Sequence, residues 1–535
     1  MRGIEQNHPG CHVNLPLQPY STCTILRCLV VVLWVCFLMP AQAAGLQVLK
    51  PQSFTHHVER FNAMEDENIT NYVSNAESWS WMSTNIPFFA CPDRQVEETW
   101  YFRWWSFRKH LVRTTNGFVI TEFLTPVSHA RAYNTISSAL GFHLAEGRWL
   151  HDQRYLDGNT LFWLRGNGGK PQSHLHKFSS WLAVAVYDRY LVNGDRGFVT
   201  ALLDDLVADY QTWVKEQQLT NGLFWQYDVR DAMEESISGA RRKKNIRPTI
   251  NSYMYGNARA IAAIAQLARQ KKVAVEFEKK ANGLRQLTET SLWNPEAKFF
   301  EVRLESGEFA DVREELGFIP WFFELPEKNK GYEVAWAQLA DPEGFQAPSG
   351  ITTAERRHPL FRSHGCYTCE WDGAVWPFAT CQTLYALANV LRDYPQNSVS
   401  TNDYFDAFLT YARSQQQDGK PYIGEYHDEV TGQWFNGRGG RSRYYNHSTF
   451  ADLVITGVVG LVPREDRVVE VHPLLPPGVW DWFCLDGVSY HGHTLAIVWD
   501  KDGTRYNLGK GLCVVADGRV IAKSGKLERI TGKLP

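Results

Sequence analysis

Two acidic segments hold the residues of this 535-residue chain that are best suited to chemistry. The first runs from Trp225 to Gly239 and reads WQYDVRDAMEESISG, and the second runs from Tyr422 to Trp434 and reads YIGEYHDEVTGQW. Both place carboxylates among Trp, Tyr and Gly, whereas surface acids usually lie among Lys, Ser and Gln. Two carboxyl groups brought together by folding, one donating a proton and one activating water, can hydrolyse a glycosidic bond. The pair of segments therefore predicts that each contributes one carboxyl group to a hydrolytic site.

The first segment is the predicted source of the proton donor. Its aromatic residues can desolvate a carboxylic acid and raise its pKa, which a general acid needs at neutral pH. Asp231 is the predicted donor, and Asp228 and Glu234 are the alternatives. A solvated acidic surface explains the remaining acids of the segment equally well.

The second segment is the predicted source of the general base. Glu425 stands between Gly424 and Tyr426, in aromatic surroundings. Asp428 and Glu429 lead into a Thr-Gly turn, which is typical of solvated acids. We therefore predict that Glu425 activates the attacking water.

Polar residues next to aromatic ones recur elsewhere, and they predict a sugar-binding cleft. Trp371 and Trp376 flank Asp372, which serves either in a sugar subsite or as the cap of a buried helix. His174 and His176 do not share a helix face and have no further ligands at metal spacing, so the sequence predicts no metal ion and no cofactor. The predicted substrate-binding residues are Trp225, Arg230, Glu234, Asn251, Tyr253, Trp371, Asp372, Trp376, Tyr426 and His447.

The composition is that of a globular protein, with 44% hydrophobic and 21% charged residues. A net charge of −3 gives no electrostatic reason to expect nucleic acid or an anionic membrane as a partner. The 20 Trp residues fit a large core, and they equally fit flat rings that stack on sugars. The expected partner is a carbohydrate substrate, and the sequence does not determine the oligomeric state.

The N-terminal 43 residues are predicted to be a signal peptide. The apolar run from Cys28 to Met39 follows Arg27 and precedes the small-residue motif Ala41-Gln-Ala43. The run is too short to span a membrane. The expectation is export to the periplasm or beyond after cleavage near Ala43, with an uncleaved anchor or a later start codon as alternatives. Cys366 and Cys369 fit either buried thiols or a disulfide that an oxidising compartment allows.

Apolar residues at helical spacing predict a catalytic domain of long helices over residues 131–461. Val199, Leu202, Leu206 and Trp213 belong to one stripe, and the break at Asn193-Gly194-Asp195 separates it from the preceding helix. Helical hairpins in series can form a bundle, a solenoid or a closed toroid. In a toroid the connecting loops converge on one end, which would bring residues 231 and 425 together.

Two smaller regions flank the helices. Residues 44–130 are predicted to be an irregular or β segment that packs on the toroid. Residues 462–535 contain short β-branched runs separated by Asp486-Gly487, Asp502-Gly503 and Asp517-Gly518, which predicts a small antiparallel β-sandwich-like module.

The chain resembles the six-hairpin, (α/α)6-toroid glycoside hydrolases, and in particular the mannosylglycerate hydrolase-like group and glycoside hydrolase family 63. The motifs that carry the resemblance are residues 425–432 (EYHDEVTG), residues 371–377 (WDGAVWP) and residues 228–239 (DVRDAMEESISG). Tyr445-Asn-His-Ser-Thr-Phe450 is similar to the segment before the last toroid helix. The match spans roughly residues 130–460.

The resemblance implies a mainly α fold with an (α/α)6 toroid and an inverting glycosidase mechanism. The family's general base maps to Glu425 and its acid maps best to Asp231, although Met-Glu-Glu-Ser replaces the family's Ser-Pro step after the acid. Inversion implies carboxyl groups roughly 6.5–9.5 Å apart, with room for a water.

Two other functions fit the same residues. A polysaccharide lyase on the same toroid would recruit Tyr253 or His447 as a base and Arg247 as a charge neutraliser. A non-catalytic glycan-binding protein would keep the cleft without the acid. The sequence does not specify the sugar or the linkage.

Overall fold

The computed structural model describes residues 47–131, 133–365, 368–435 and 440–535. The predicted signal peptide and Cys366 lie outside these residues. None of the helices in the described ranges is long and apolar enough to cross a membrane.

Helices are the main regular structure of the described chain. In chain order they are α1 (Thr55–Ala63), α2 (Ser78–Asn85), α3 (Arg94–Lys109), α4 (Leu140–Gly147), α5 (Arg154–Arg165), α6 (Leu182–Asn193), α7 (Arg196–Ala201), α8 (Leu203–Gln217), α9 (Pro248–Leu267), α10 (Lys271–Leu292), α11 (Ile319–Phe322), α12 (Pro377–Asp393), α13 (Thr401–Ser414) and α14 (Ala451–Leu453), the last continued by a π-helical turn (Val454–Val459).

An inner ring of helices closes on itself and confirms the predicted (α/α)6 toroid. Each inner helix contacts the next, and the last contacts the first, in the order α4, α6, α9, α11, α12 and α14. Between them along the chain run the outer helices α5, α8, α10 and α13 and the 3-10 segment Tyr332–Gln338. The predicted mainly α fold class is therefore correct.

The inner and outer helices differ in how many of their residues are buried. Along α9 and α12 nearly every residue is buried, as expected for a helix surrounded by others. Outer helix α13 instead buries one stripe that includes Tyr404, Phe408 and Tyr411, at three- and four-residue spacing.

The break between α6 and α7 lies where the sequence predicts it. Gly194 adopts a left-handed φ of 72°, and the Asp195 side chain accepts a hydrogen bond from the Phe198 N–H at the start of α7. The apolar stripe that begins at Val199 is shared between α7 and α8, which Leu202 separates.

Strands form one larger sheet near the C-terminus and several short pairs. They are β1 (Phe88–Ala90), β2 (Leu111–Thr114), β3 (Gly117–Ile120), β4 (Trp225–Gln226), β5 (Asn245–Ile246), β6 (Trp293–Asn294), β7 (Phe299–Phe300), β8 (Gln346–Ala347), β9 (Gly350–Ile351), β10 (Gln416–Gln417), β11 (Lys420–Pro421), β12 (Leu461–Val462), β13 (Val468–Val471), β14 (Trp482–Tyr490), β15 (His493–Asp500), β16 (Gly511–Ala516), β17 (Arg519–Ser524) and β18 (Ile530–Lys533). An antiparallel five-stranded sheet has the order β1-β14-β15-β16-β17, and a three-stranded sheet has the order β12-β13-β18.

The Asp-Gly pairs of this region do not all form hairpin turns. Asp517-Gly518 does, because both residues have positive φ between β16 and β17. Asp486-Gly487 instead lies inside β14 as a bulge. The Asp486 carboxylate there accepts hydrogen bonds from the Val48 and Leu49 N–H groups, each at 2.7 Å.

Residues 47–130 differ from the expected irregular or β segment, because α1, α2 and α3 lie there. Helix α3 is buried on nearly all sides, and Trp100, Trp104 and Trp105 are among its buried residues. The sequence of this helix therefore has no single apolar stripe at helical spacing. Three strands also lie in this region: β1 pairs with β14 and joins the C-terminal sheet, and β2 pairs with β3.

Candidate active site

A cavity of about 310 Å³ lies where the loops before several inner helices converge. Lys177 and Phe178 precede α6, Trp376 and Phe378 lie at the start of α12, and Tyr445 and His447 precede α14. The other residues of the wall are Glu122, His129, Ile136, Ser138, Val229, Arg230, Ala232, Glu234, Arg241, Cys369, Glu425 and Arg441. Both acidic segments of the sequence therefore reach one cavity.

Glu425 lies on this wall in an ion pair. The Arg441 guanidinium is 3.0 Å from Glu425 Oε2, and the Ser442 hydroxyl donates to the same oxygen at 3.1 Å. Burial raises the pKa of Glu425, while Arg441 and Ser442 oppose that rise. A cation and a hydroxyl that both favour the charged carboxylate suit a group that accepts a proton from water.

Glu234 lies on the same wall and forms no ion pair with any residue that the structure describes. Burial, with Glu425 and Asp228 as negative neighbours, raises the pKa of Glu234 to about 7. Ala232, two residues before Glu234, and Glu235, directly after it, both have positive φ, 59° and 65°. A positive φ costs free energy in a residue that has a side chain. The loop is therefore held in one unusual conformation around a carboxyl group that keeps its proton up to neutral pH.

Neither Asp231 nor Asp228 belongs to the described cavity wall. The Asp231 carboxylate is fully buried, 2.7 Å from Arg247 Nε, and accepts a hydrogen bond from the Ser179 hydroxyl at 2.6 Å. Asp228 is also buried and accepts a hydrogen bond from the Val229 N–H. The predicted donor thus lies in a structural ion pair, and Glu234, one of the alternatives, faces the cavity.

Glu122 and Tyr445 are wall residues that the sequence reasoning did not select. Tyr445 interacts with both Glu122 and Glu425, so the three side chains form one connected group. Burial raises the pKa of Glu122 well above its usual value, and the charges of Glu425 and Glu234 raise it further. In the sequence, Glu122-Phe123 and Tyr444-Tyr445 are polar residues beside aromatic ones, which alone is weak evidence for a sugar-binding cleft.

Four basic side chains line the cavity, and two of them are in ion pairs. The four are Lys177, Arg230, Arg241 and Arg441. Arg230 donates to the Lys177 carbonyl at 3.1 Å, which keeps these two residues together. Arg241 is paired with Glu235 at 2.6 Å. Of these four, the sequence predicted only Arg230 as a binding residue, because basic residues in loops have no regular spacing that would indicate a site.

Aromatic residues support another part of the wall. Trp376 stacks on Tyr426 with ring centroids 4.6 Å apart, and on Trp371 at 4.5 Å. Trp376 lines the cavity, whereas Tyr426 and Trp371 lie beside it and fix its orientation.

The remaining predicted binding residues lie away from the described cavity wall. Asn251 is buried and donates to the Phe224 carbonyl, and the Tyr253 hydroxyl accepts from Gln382. Asp372 is buried and accepts from the His364 N–H at 2.8 Å, and Trp225 lies under Lys244 at 4.8 Å. Among the predicted residues, Arg230, Glu234, Trp376, Glu425 and His447 do line the cavity.

No group of three or more His, Cys, Asp or Glu side chains with metal-binding geometry occurs in the described ranges. Cys369, the described half of the Cys-x-x-Cys motif, lies on the cavity wall, and burial raises the pKa of its thiol to about 12. This thiol therefore stays protonated and is a poor nucleophile.

Solved structures share the fold of this chain. A structure named "Sialidase" is 51% identical and has a TM-score of 0.89 over 90% of this chain, which spans 45% of that structure's length. An uncharacterized conserved protein from Thermus thermophilus is 17% identical, with a TM-score of 0.52 over 67% of this chain and 99% of its own. A family 78 rhamnosidase from Bacillus sp. GL1 is 13% identical, with a TM-score of 0.55 over 77% of this chain and 40% of its own. The last two share the fold alone.

Family models assign both parts of the chain. Residues 463–522 match the C-terminal domain of glycosyl hydrolase family 65. Residues 132–448, more than half of the chain, match the mannosylglycerate hydrolase MGH1-like glycoside hydrolase domain. The chain therefore belongs to the MGH1-like glycoside hydrolases.

Proposed function

We propose that this chain is a glycosidase that removes a terminal, negatively charged sugar from a glycan, with Glu234 as the general acid and Glu425 as the general base. The observation that carries the proposal is the presence of two glutamates with contrasting surroundings on one cavity wall. Glu234 has a pKa of about 7 and negative neighbours, whereas Glu425 is held by Arg441. An inverting hydrolysis needs one protonated and one ionised carboxyl group.

In this mechanism Glu234 gives its proton to the glycosidic oxygen as the bond to the anomeric carbon breaks. Glu425 takes a proton from a water that attacks the anomeric carbon from the other face of the ring. Trp376 contributes an aromatic part of the cavity wall. A cavity of about 310 Å³ fits a single terminal residue better than several residues of a long chain.

The charge of the wall supports an anionic substrate. Lys177 and Arg230 lie together and are not neutralised by a described carboxylate at salt-bridge distance. Arginine and lysine side chains bind carboxylates strongly. The similar structure carries the name "Sialidase", and sialic acid is a sugar with a carboxylate. An α-linked sialoside is therefore the first substrate to test.

The test is hydrolysis of a 4-methylumbelliferyl sialoside and of neutral aryl glycosides by the full chain. We expect hydrolysis of the sialoside, and losses of about 1,000-fold or more in kcat for Glu234→Gln and Glu425→Gln. Glu276→Gln, an exposed change on α10, is the matched control and should keep wild-type kcat. Full activity in both cavity variants would remove these two residues from the mechanism.

The stereochemistry of the first product distinguishes inversion from retention. Proton NMR of the released sugar should show the inverted anomer. A retained anomer would favour a second mechanism in which Tyr445, placed between Glu122 and Glu425, attacks the anomeric carbon, since sialidases with a Tyr nucleophile are known. Tyr445→Phe would then abolish turnover.

We also propose that the chain is exported, because Arg27, the apolar run after it and Ala41-Gln-Ala43 have the order of a signal peptide. Fractionation of expressing cells, followed by N-terminal sequencing of the product, tests this. A mature chain beginning at Ala44 in the exported fraction is the expected result, and an intact N-terminus inside the cell would contradict it.

A further inference from the structure

Four buried polar atoms of cavity-wall residues have no hydrogen-bond partner among the described residues: Glu122 Oε2, Trp376 Nε1, Arg441 Nε and His447 Nε2. Two of them, Glu122 Oε2 and His447 Nε2, belong to side chains that lie next to each other. Both residues are 2% exposed and both line the cavity. Buried polar atoms are almost always paired, because leaving one unpaired costs free energy. Two such atoms on the wall of a binding cavity indicate that a substrate group pairs with them.

Neighbouring atoms hold the two side chains next to each other. His447 Nδ1 lies 4.0 Å from Glu122 Oε1. The backbone N–H of Asn446 donates to the Glu122 carbonyl at 3.0 Å, which ties the segment before α14 to the one after β3. Tyr445 interacts with the Glu122 carboxyl group from the same segment. The two unpaired atoms therefore belong to one rigid part of the wall.

His447 offers an acceptor there. Burial lowers the pKa of His447 well below its usual value, and Arg103 lowers it further, so the ring is neutral. The ring makes one hydrogen bond to the backbone of Glu425. A neutral imidazole has one N–H and one bare nitrogen, so once its N–H is used for that carbonyl the other nitrogen can only accept.

Glu122 offers a donor. Because burial and the charges of Glu425 and Glu234 favour its neutral form, the carboxyl group keeps its proton. A protonated carboxyl group is a donor through its O–H as well as an acceptor. The two neighbouring side chains thus offer one donor and one acceptor, and a sugar hydroxyl is the substrate group that satisfies both.

We propose that Glu122 and His447 form a specificity subsite for one hydroxyl of the terminal sugar, which donates to the His447 ring and accepts from Glu122. The proposal rests on the proposed function in that the sugar must occupy this cavity. It does not require the sugar to be a sialic acid, because a donor and an acceptor placed in this way can bind a hydroxyl of any pyranose.

The test is equilibrium binding to the full chain carrying Glu234→Gln, which prevents turnover. The ligands are N-acetylneuraminic acid, mannose, glucose and rhamnose, each with its monodeoxy analogues. For the sugar that binds, we expect one deoxy analogue to bind at least about 10-fold more weakly, since a site built to bond a hydroxyl rejects the analogue that lacks it. Glu122→Leu and His447→Phe, each added to Glu234→Gln, should bring that ratio to about one.

Glu122→Gln is the matched control, because its amide still donates and should preserve the discrimination. An unchanged ratio in Glu122→Leu and His447→Phe, with thermal unfolding like that of the parent, would overturn the subsite even if sialosides are hydrolysed. A ratio that collapses for a neutral sugar, in a chain that does not hydrolyse sialosides, would support the subsite and refute the proposed substrate. Binding of none of the sugars would overturn the subsite.

Discussion

At the scale of single residues, the charge around each carboxyl group decides what it can do. Glu234 and Glu425 are the same residue type on the same cavity wall. Negative neighbours surround the first, and Arg441 accompanies the second. The charge of Glu425 is one of the causes that raise the pKa of Glu234.

The pH dependence of kcat/KM follows from these environments. Glu234 must be protonated to act as an acid, and its pKa is about 7. We therefore expect kcat/KM to fall about tenfold per pH unit above that pKa, as the proton is lost. On the acid side, activity should fall as Glu425 becomes protonated. A steady-state profile measures both limbs, and an alkaline limb unchanged up to pH ~9 would rule out Glu234 as the acid.

Replacing Arg441 should move the acid limb. Without the guanidinium 3.0 Å from its carboxylate, Glu425 loses a group that favours its charged form, so its pKa rises. We expect the acid limb of the Arg441→Gln profile to lie about one pH unit higher, with a lower maximum. Arg443→Gln is the matched control, because Arg443 pairs with Glu65 and is not part of the cavity wall. Equal profiles for the two variants would contradict the ion pair's role.

Asp231 should matter to stability, unlike Glu234. Its carboxylate and the Arg247 guanidinium are both fully buried, so Asp231→Asn leaves a buried positive charge without its partner. Such a change costs about 3–5 kcal/mol of unfolding free energy. Urea unfolding should show this loss, while kcat of the folded variant stays within about threefold of wild type. A large loss of kcat at unchanged stability would instead make Asp231 the proton donor.

At the scale of elements, close packing of the inner helices depends on small residues. Gly141 of α4 lies so near the Trp181 ring that an added methyl group would overlap it, whereas Gly283 of outer helix α10 has open space. We expect Gly141→Ala to cost about 1–3 kcal/mol through overpacking. Gly283→Ala should gain up to about 1 kcal/mol, because alanine favours helix. Denaturant titrations of both variants test this, and equal effects would contradict the inner and outer assignment.

The helical elements were predictable because their apolar residues recur at helical spacing, as in α13. The end of one helix was predictable from Asn193-Gly194-Asp195, where Gly194 takes a positive φ. The aromatic neighbours of Glu425 also predicted a place for it in the cleft, and it does line the cavity. The sequence did not show that Glu234 rather than Asp231 lines the cavity, because a positive φ such as that of Ala232 between them is not visible in the residue types. Arg441 reaches the site through folding alone, so no local pattern marks it.

At the scale of the whole molecule, the toroid and the C-terminal sheet share one core. Strand β1 precedes the toroid in the chain but pairs with β14, and the buried apolar residues of both parts form one contiguous cluster. Phe89 of β1 lies at the junction, with its ring 5.3 Å from that of Trp100 in α3 and 6.5 Å from that of Trp480 before β14. The two parts should therefore unfold together.

Phe89→Ala tests this coupling. The fully buried ring fills space between helix and sheet, so its removal should cost about 3–5 kcal/mol. Calorimetry of the full chain should give one transition, which the variant shifts to lower temperature as a whole. Val520→Ala, an exposed change in β17, should alter stability by less than about 0.5 kcal/mol. Two separate transitions, of which Phe89→Ala moves only one, would show instead that the sheet and the toroid unfold independently.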